Sequence, residues 1–210
     1  MRKLLVVLSI VSLCGGCALT TATIDVPYQS ASGTVAPVAG ASNVSVDVAT
    51  TDGRTTYRDR VSSKKNGYGM EMAAIVASND LPTSITDAFK QELSARGFKI
   101  GPQGAGVRVE MVRFYNDFKT GFFSGDAVAT VAFNVKVVAP SGSIAFSKYY
   151  EGTGTEPNIA LAGGDNARAA LIKAFTASVS NVVSDPDFIN ALLAAGSQAS
   201  KPVAMLDIRS

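Results

Sequence analysis

The chain has 210 residues, with 19 Lys and Arg against 17 Asp and Glu, no histidine, no tryptophan and two cysteines. So even a balance of charge gives no sign of bulk nucleic-acid binding, which needs a basic face, and the missing histidine removes the commonest general base and metal ligand. Both cysteines, Cys14 and Cys17, lie close to the start, so everything after them is free of thiols and disulfides.

Met1-Arg2-Lys3 precedes the apolar run LLVVLSIVSL and then CGGCA. A short basic start followed by about 7–15 apolar residues and small residues is the pattern of a secretory signal. The run is too short to cross a bilayer, which takes about 20 residues. The C-x-x-C spacing admits a redox pair, but such a pair opens a helix inside a folded domain. A zinc site would need two further ligands, here necessarily carboxylates. Cys14-Gly15-Gly16-Cys17 resembles a bacterial lipobox, with Cys14 in the slot usually held by leucine. Residues 1–16 are then a signal peptide, and Cys17 is lipidated with palmitate-type chains and becomes the new N-terminus. One acyl chain is a marginal anchor, each buried CH₂ contributing about 0.8 kcal/mol, whereas the two or three of a lipoprotein hold firmly. Ala18, in place of aspartate, directs such a protein to the outer membrane by resemblance to enterobacterial sorting. Loss of Arg2 and Lys3 leaves 17 basic residues against 17 acidic.

Residues 17–42 are rich in Thr, Ala, Ser, Gly and Pro and read as a flexible tether, with TIDV as an alternative edge strand. A single domain is expected over residues 43–196, and a polar tail over 197–210. NVSVDVATT alternates Val44, Val46 and Val48 against polar residues, the pattern of a half-buried strand. RTTYRDRVSSKKNGYG gathers Arg54, Arg58, Arg60, Lys64 and Lys65 around Asp59. It reads either as a contact for an anionic partner or as a solvated loop.

NDLPTSITDAFKQELSARG is the clearest helix. Asp80 or Thr83 caps it, Pro82 suits its first turn, Leu81, Ile85, Ala88, Phe89 and Leu93 share one face, and Gly97 stops it. GVRVEMVRFY and DAVATVAFNVKVVA alternate as strands, PSG (140–142) makes a hairpin turn, and SIAFSKYYEGTG is a third strand of this group. GGDNARAALIKAFTASVSNVV is a second helix, capped by Asp165 or Asn166. Asp185-Pro186 restarts a short helix closed by Gly196. The expected fold class is α+β: a two-layer, mainly antiparallel sheet of about four strands, in the order strand-helix-strand-strand-strand-helix, covered on one face by two helices.

FKQELSARGFKIGPQGAGVRVEMVRFYNDF followed by VATVAFNVKVV resembles the YajG family of bacterial lipoproteins. The shared pattern is a helix ending in A-R-G-[FY], a G-P turn, two strands, and a D-x-R after the first strand, here Asp52-Gly53-Arg54. The resemblance covers roughly residues 44–193 and implies a compact α+β envelope lipoprotein. It brings no catalytic residues with it.

The search for chemistry is mostly negative. Ser62-x-x-Lys65 has the spacing of a Ser/Lys dyad but lies in a polar segment, GPQGAG (101–106) precedes a strand where a phosphate loop precedes a helix, and Glu151 and Glu156 sit in a Gly/Thr-rich connector. No enzyme, cofactor or metal is therefore expected. One stretch, RFYNDFKTGFFSGD, gathers Phe114, Tyr115, Phe118, Phe122 and Phe123 at an expected hairpin tip. Either these rings fold back onto the sheet or some are exposed as a patch for a partner. The function expected is a periplasm-facing binding or scaffolding lipoprotein of the envelope, held to the membrane through Cys17, with an envelope protein or lipid as partner and no nucleic acid. The alternative is an auxiliary subunit of an envelope transport or outer-membrane assembly machine.

Overall fold

The computed structural model describes residues 19–31, 35–121 and 124–199. Its elements in chain order are β1 (Ala22–Ile24), a 3-10 turn at Ala41–Asn43, β2 (Ser45–Asp52), β3 (Ser62–Lys65), β4 (Glu71–Ala77), α1 (Leu81–Ala95), β5 (Lys99–Ile100), β6 (Ala105–Thr120), β7 (Gly125–Val138), β8 (Ile144–Ile159), α2 (Gly164–Val183) and α3 (Pro186–Ala199).

The expected antiparallel group exists as a long meander, β6–β7–β8. The sheet around it is larger than expected and is mixed. Its strand order is β5-β2-β6-β7-β8, with β2 parallel to both β5 and β6, and a second sheet has the order β1-β4-β3. The α+β class therefore stands, while the four-strand sheet and its strand order do not. After β2 ends at Asp52, β3 takes its place beside β6. Asn116 N–H donates to the Val61 carbonyl at 2.8 Å, and Ser62 Oγ donates to the Asn116 carbonyl at 2.9 Å. A bridge between Lys65 and Ala162 ties this small sheet to the chain leaving β8.

Strand alternation sets the core face. Val107, Val109 and Met111 point inward; a bulge between Met111 and Arg113 then shifts the register by one, so that Phe114, Asn116 and Phe118 continue on the same face. Against this face pack α1, through Ile85, Phe89 and Leu93, and α2, through Leu171, Phe175 and Val179, all fully buried. The helix α2 comes unusually close to β8 because Gly152 and Gly154 face its backbone at Ala170, Ala174 and Ser178. Small residues on both sides let the layers meet without side chains between them.

The helices start and stop close to expectation. Asp80 caps α1 by accepting from Thr83 N–H, and Gly97 follows it with φ +92°, a left-handed conformation that suits glycine. At α2, Gly163 holds the cap position with no side-chain bond; Asn166 instead donates from Nδ2 to the Leu161 carbonyl at 2.9 Å, and Asp165 lies in the first turn. The third helix, α3, runs through Gly196 to Ala199. Gly196 does not stop it, because the absent side chain makes room for Val44.

The expected tether is also corrected. Residues 22–31 are folded: β1 pairs in parallel with β4, Ala22 opposite Ile75, and Val26 is fully buried. Asn79 clamps Val26 from both sides, Oδ1 accepting its N–H and Nδ2 donating to its carbonyl. The segment then runs between α1 and α2. Tyr28 packs edge-on to Phe175 and donates its hydroxyl to Glu92 at 2.8 Å, Gln91 donates to Ser30, and Thr176 donates to the Gln29 carbonyl. Burial pushes the Glu92 carboxyl up, but its bonds from Arg96, Tyr28 and Ser30 together outweigh that and hold it below its usual value. Burial, followed by the bond to Glu92, raises the Tyr28 phenol.

Candidate functional site

Two sequence-derived candidates lie within the described residues. The first is the aromatic stretch. Phe114 and Phe118 are fully buried, and Phe114 meets Phe175 edge-on at 5.7 Å. Tyr115 points to the opposite face of the sheet and is buried under Tyr57, its ring stacked at 4.1 Å. Burial raises its phenol above the usual value, its hydrogen bond to Ser63 partly offsetting this. A buried phenylalanine contributes about 1.5–3 kcal/mol of transfer free energy. The reading of Phe114, Tyr115 and Phe118 as an exposed partner site is thus replaced by a structural one. Phe122 and Phe123 lie outside the described residues, as does Cys17.

The second candidate is the basic segment. Far from being a loose loop, it is organised around Arg54, only 7 % exposed. Its Nε and Nη2 donate to the two oxygens of Asp52 at 3.0 and 2.8 Å, and its remaining donors reach the carbonyls of Tyr57 and Arg58 at 3.1 and 3.2 Å. With its fork turned inward, Arg54 is a fastener for the loop and not an anion contact. Its hydrogen bond holds the Asp52 carboxyl below the usual value. The D-x-R pattern is therefore a fold-determining motif. Tyr57 has φ +54°, a left-handed conformation costing a non-glycine residue roughly 1–2 kcal/mol. Its stack on Tyr115, together with the Arg54 bond to its carbonyl, offsets a cost of that size.

The other cations separate. Arg60 lies over the Tyr57 ring at 5.5 Å and pairs with Asp59 and Glu71 at 3.4 and 3.6 Å. Lys65 reaches across to Asp117 at 2.6 Å and the Phe118 carbonyl at 3.1 Å. Lys64 is half-buried on β3, and Arg58 is exposed. Between this loop and the start of α1 lies a cleft of about 370 Å³, lined by Arg58, Arg60, Asp52, Asp59 and Asp80 among others. Its charges are mixed, and the first turn of α1 is already capped from within by Asp80. The segment therefore does not form one anionic-contact surface.

The remaining chemical candidates are accounted for structurally. Ser62 donates to Asn116 and Lys65 pairs with Asp117, so the two form no dyad. Gly104 sits against the backbone of Ser45, making 101–106 a packed turn. Glu151 accepts from Tyr149 at 2.6 Å, and Glu156 pairs with Lys173 at 2.7 Å. Among the described residues, no group of His, Cys, Asp or Glu is placed to hold a metal, and no helix is long and apolar enough to cross a membrane.

One surface went unnoticed in the sequence. Tyr68 and Met70, on the β3–β4 turn, Leu161, after β8, and Leu19, before β1, are 91, 57, 78 and 65 % exposed. Topology gathers them at one end of the molecule. The β3–β4 turn lies where β4 begins; Leu19 precedes the strand that runs parallel to β4; Leu161 adjoins Ala162, which bridges to Lys65. The only sequence signal was the isolated tyrosine of N-G-Y-G-M between glycines.

These features define an α+β domain built on a mixed five-stranded sheet with a second, three-stranded sheet beside it. The chain belongs to the family described as uncharacterised lipoproteins, whose model matches residues 33–193, in agreement with the YajG-type resemblance. No curated protein sequence matches the chain. A crystal structure of a Xanthomonas campestris protein assigned to the family DUF330 is similar with a TM-score of 0.51, at 14 % identity over 87 % of this chain and 100 % of that one. At that identity the likeness is one of fold. A minor lipoprotein from Acinetobacter baumannii is similar with a TM-score of 0.42, at 6 % identity over 72 % of this chain and 92 % of that one.

Proposed function

We propose that the protein is a non-catalytic binding or scaffolding module of the bacterial envelope, anchored by acyl chains on Cys17 and facing the periplasm from the outer membrane. The observation that carries this reading is the C-G-G-C-A lipobox, placed shortly ahead of a domain that matches a lipoprotein family over residues 33–193. The auxiliary-transport reading calls for an apolar groove between helices and sheet. That space is filled by Phe89, Phe133 and Phe175, all fully buried.

Metabolic labelling with palmitate, followed by density-gradient fractionation, tests the anchor. Label is expected in the wild type, in outer-membrane fractions, and is expected to vanish in Cys17→Ala together with membrane retention. A Cys17→Ala chain that still carries label would overturn the assignment of the anchor. For the binding role, in-cell photo-crosslinkers scanned over exposed positions of the domain are expected to trap a discrete envelope partner; turnover of an envelope substrate by the purified protein would refute the non-catalytic reading.

A further inference from the structure

We infer that the end of the domain bearing Leu19, Tyr68, Met70 and Leu161 rests against the lipid surface, so that the anchor seats the domain on the bilayer in one fixed orientation. The inference rests on the reading of Cys17 as the lipidated residue.

Chain length is the first ground. Ala22 is already in the sheet, opposite Ile75. From Cys17 to Ala22 are five residue steps, and a chain fully extended covers at most about 3.3–3.6 Å per residue, or roughly 17 Å. The polar layer on one side of a bilayer takes up about 5–8 Å of that reach. The end of the domain where β1 begins is thus held within about one residue-layer of the lipid. A tether of the full 17–42 length would have permitted any orientation. The packed course of residues 22–31 removes that freedom.

Side-chain chemistry at that end is the second ground. Tyr68, Leu161 and Leu19 are the three most exposed large apolar side chains of the described residues, and Met70 belongs to the same end. Ile144 and Ile100, also exposed, lie at the opposite end, at the start of β8 and on β5. Tyr68 is held outward by structure. Asn66 Oδ1 accepts from both Tyr68 N–H and Met70 N–H at 3.0 Å, while Gly69 N–H donates to the Asn66 carbonyl at 2.9 Å. A ring with an apolar body and a polar hydroxyl, fixed on a rigid turn, is suited to the headgroup boundary. The contact is apolar more than electrostatic: Lys65 is paired with Asp117, Glu71 with Arg60, and exposed Lys119 at the end of β6 stands opposite Asp126 of β7. It therefore requires no anionic lipid.

The absence of tryptophan from the chain makes the test direct. Single variants Tyr68→Trp, Leu161→Trp and Ile144→Trp of the full acylated protein are reconstituted into phosphatidylcholine vesicles, with and without lipid brominated near the headgroup end of its chains. Flotation and the mass of the N-terminal peptide establish that each variant is acylated and vesicle-bound. Trp at 68 and 161 is expected to shift to the blue and lose roughly half its emission to the brominated lipid, consistent with burial about 5–10 Å into the interface, while Trp at 144 is unaffected. Acylated, floating protein with equal quenching at all three positions, or with none, would overturn the orientation and leave the anchor intact. Protein without acyl chains at Cys17 would overturn both. Replacing a fifth of the lipid with phosphatidylglycerol is expected to leave the pattern unchanged, and quenching that depends on that lipid would refute the apolar contact.

Discussion

Replacing Gly154 by alanine tests the central packing of the fold. In an extended strand, glycine to alanine ordinarily stabilises by about 0.4–1 kcal/mol, because the unfolded chain loses freedom. Gly154 reverses the sign. A Cβ there would run into the Ala170 carbonyl oxygen and stand 2.5 Å from Ala174 N and 2.7 Å from Lys173 Cβ. Two of those atoms belong to the backbone of α2, so no rotamer change relieves the clash and the whole helix must retreat. A radial gap of about 0.5–1 Å forfeits a quarter to a half of each dispersion contact along the interface. Leu171, Phe175 and Val179 of α2 all share that loss. Overpacking of this kind costs about 1–3 kcal/mol, and a backbone clash places Gly154→Ala at the upper end. For a chain of this size, 3 kcal/mol lowers the melting temperature by about 6–12 °C. Thermal unfolding followed by far-UV circular dichroism reads this, with Gly67→Ala as the control because nothing lies within 4 Å of its added Cβ. An unchanged or raised melting temperature for Gly154→Ala would refute the close approach of α2 to β8.

Arg54→Lys is expected to destabilise by about 2–3 kcal/mol in urea unfolding, because hydrogen bonds to charged groups contribute about 1.5–3 kcal/mol and an ammonium cannot reproduce the fork on Asp52; a change below about 0.5 kcal/mol would show that the loop does not depend on it. Asp185 accepts from Lys148 and Tyr150, both at 2.7 Å, and these bonds, Lys148 first, hold its carboxyl at about 2, below an ordinary 3.8. A folded-state value below the unfolded one means that the stabilisation is fully present above pH 3.8 and is lost as the pH falls toward 2. Asp185→Asn is therefore expected to flatten that part of the stability–pH curve, measured by denaturant midpoints across pH 2–5, and an unchanged slope would refute the pairing. Tyr28→Phe removes the hydroxyl from a buried carboxylate at Glu92 and is expected to speed proteolysis within residues 24–31 severalfold while leaving β6–β8 protected; uniform protection would show that this segment is held by packing alone.

What the sequence revealed and what it hid follow from local signals. The helix α1 was legible because its cap, first-turn proline, apolar face and terminal glycine all agree. The hairpin β6–β7 was legible through its alternation. The strands β3 and β4 were not: SSKK carries no apolar face, and EMAAIVA lacks alternation because both of its neighbours are in the small sheet. EGTGTE read as a connector because glycine signals a loop, whereas here it marks where a helix backbone meets a strand. The aromatic stretch stayed open between core and exposed patch for a related reason. Phe114, Asn116 and Phe118 keep the two-residue spacing of one strand face, and the extra residue at the bulge conceals that they continue the face of Met111. The role of Arg54 needed three dimensions, since composition alone shows five cations and says nothing of which one turns inward.

The route of the chain through the domain has a mechanical consequence. It enters through β1 at one end, and α3 carries it out at the other, where Gly196 lies against Val44 at the head of β2. The strands between those ends run along the same line, and β6 alone, with its 16 residues, spans about 50 Å. Tension applied between the chain ahead of β1 and the end of α3 would act along the strands, so the β1–β4 ladder would be loaded in shear, its bonds sharing the force. Pulling across the sheet would instead open the ladders one bond at a time. A domain threaded in this way resists a pull between its two chain ends along the length of its strands.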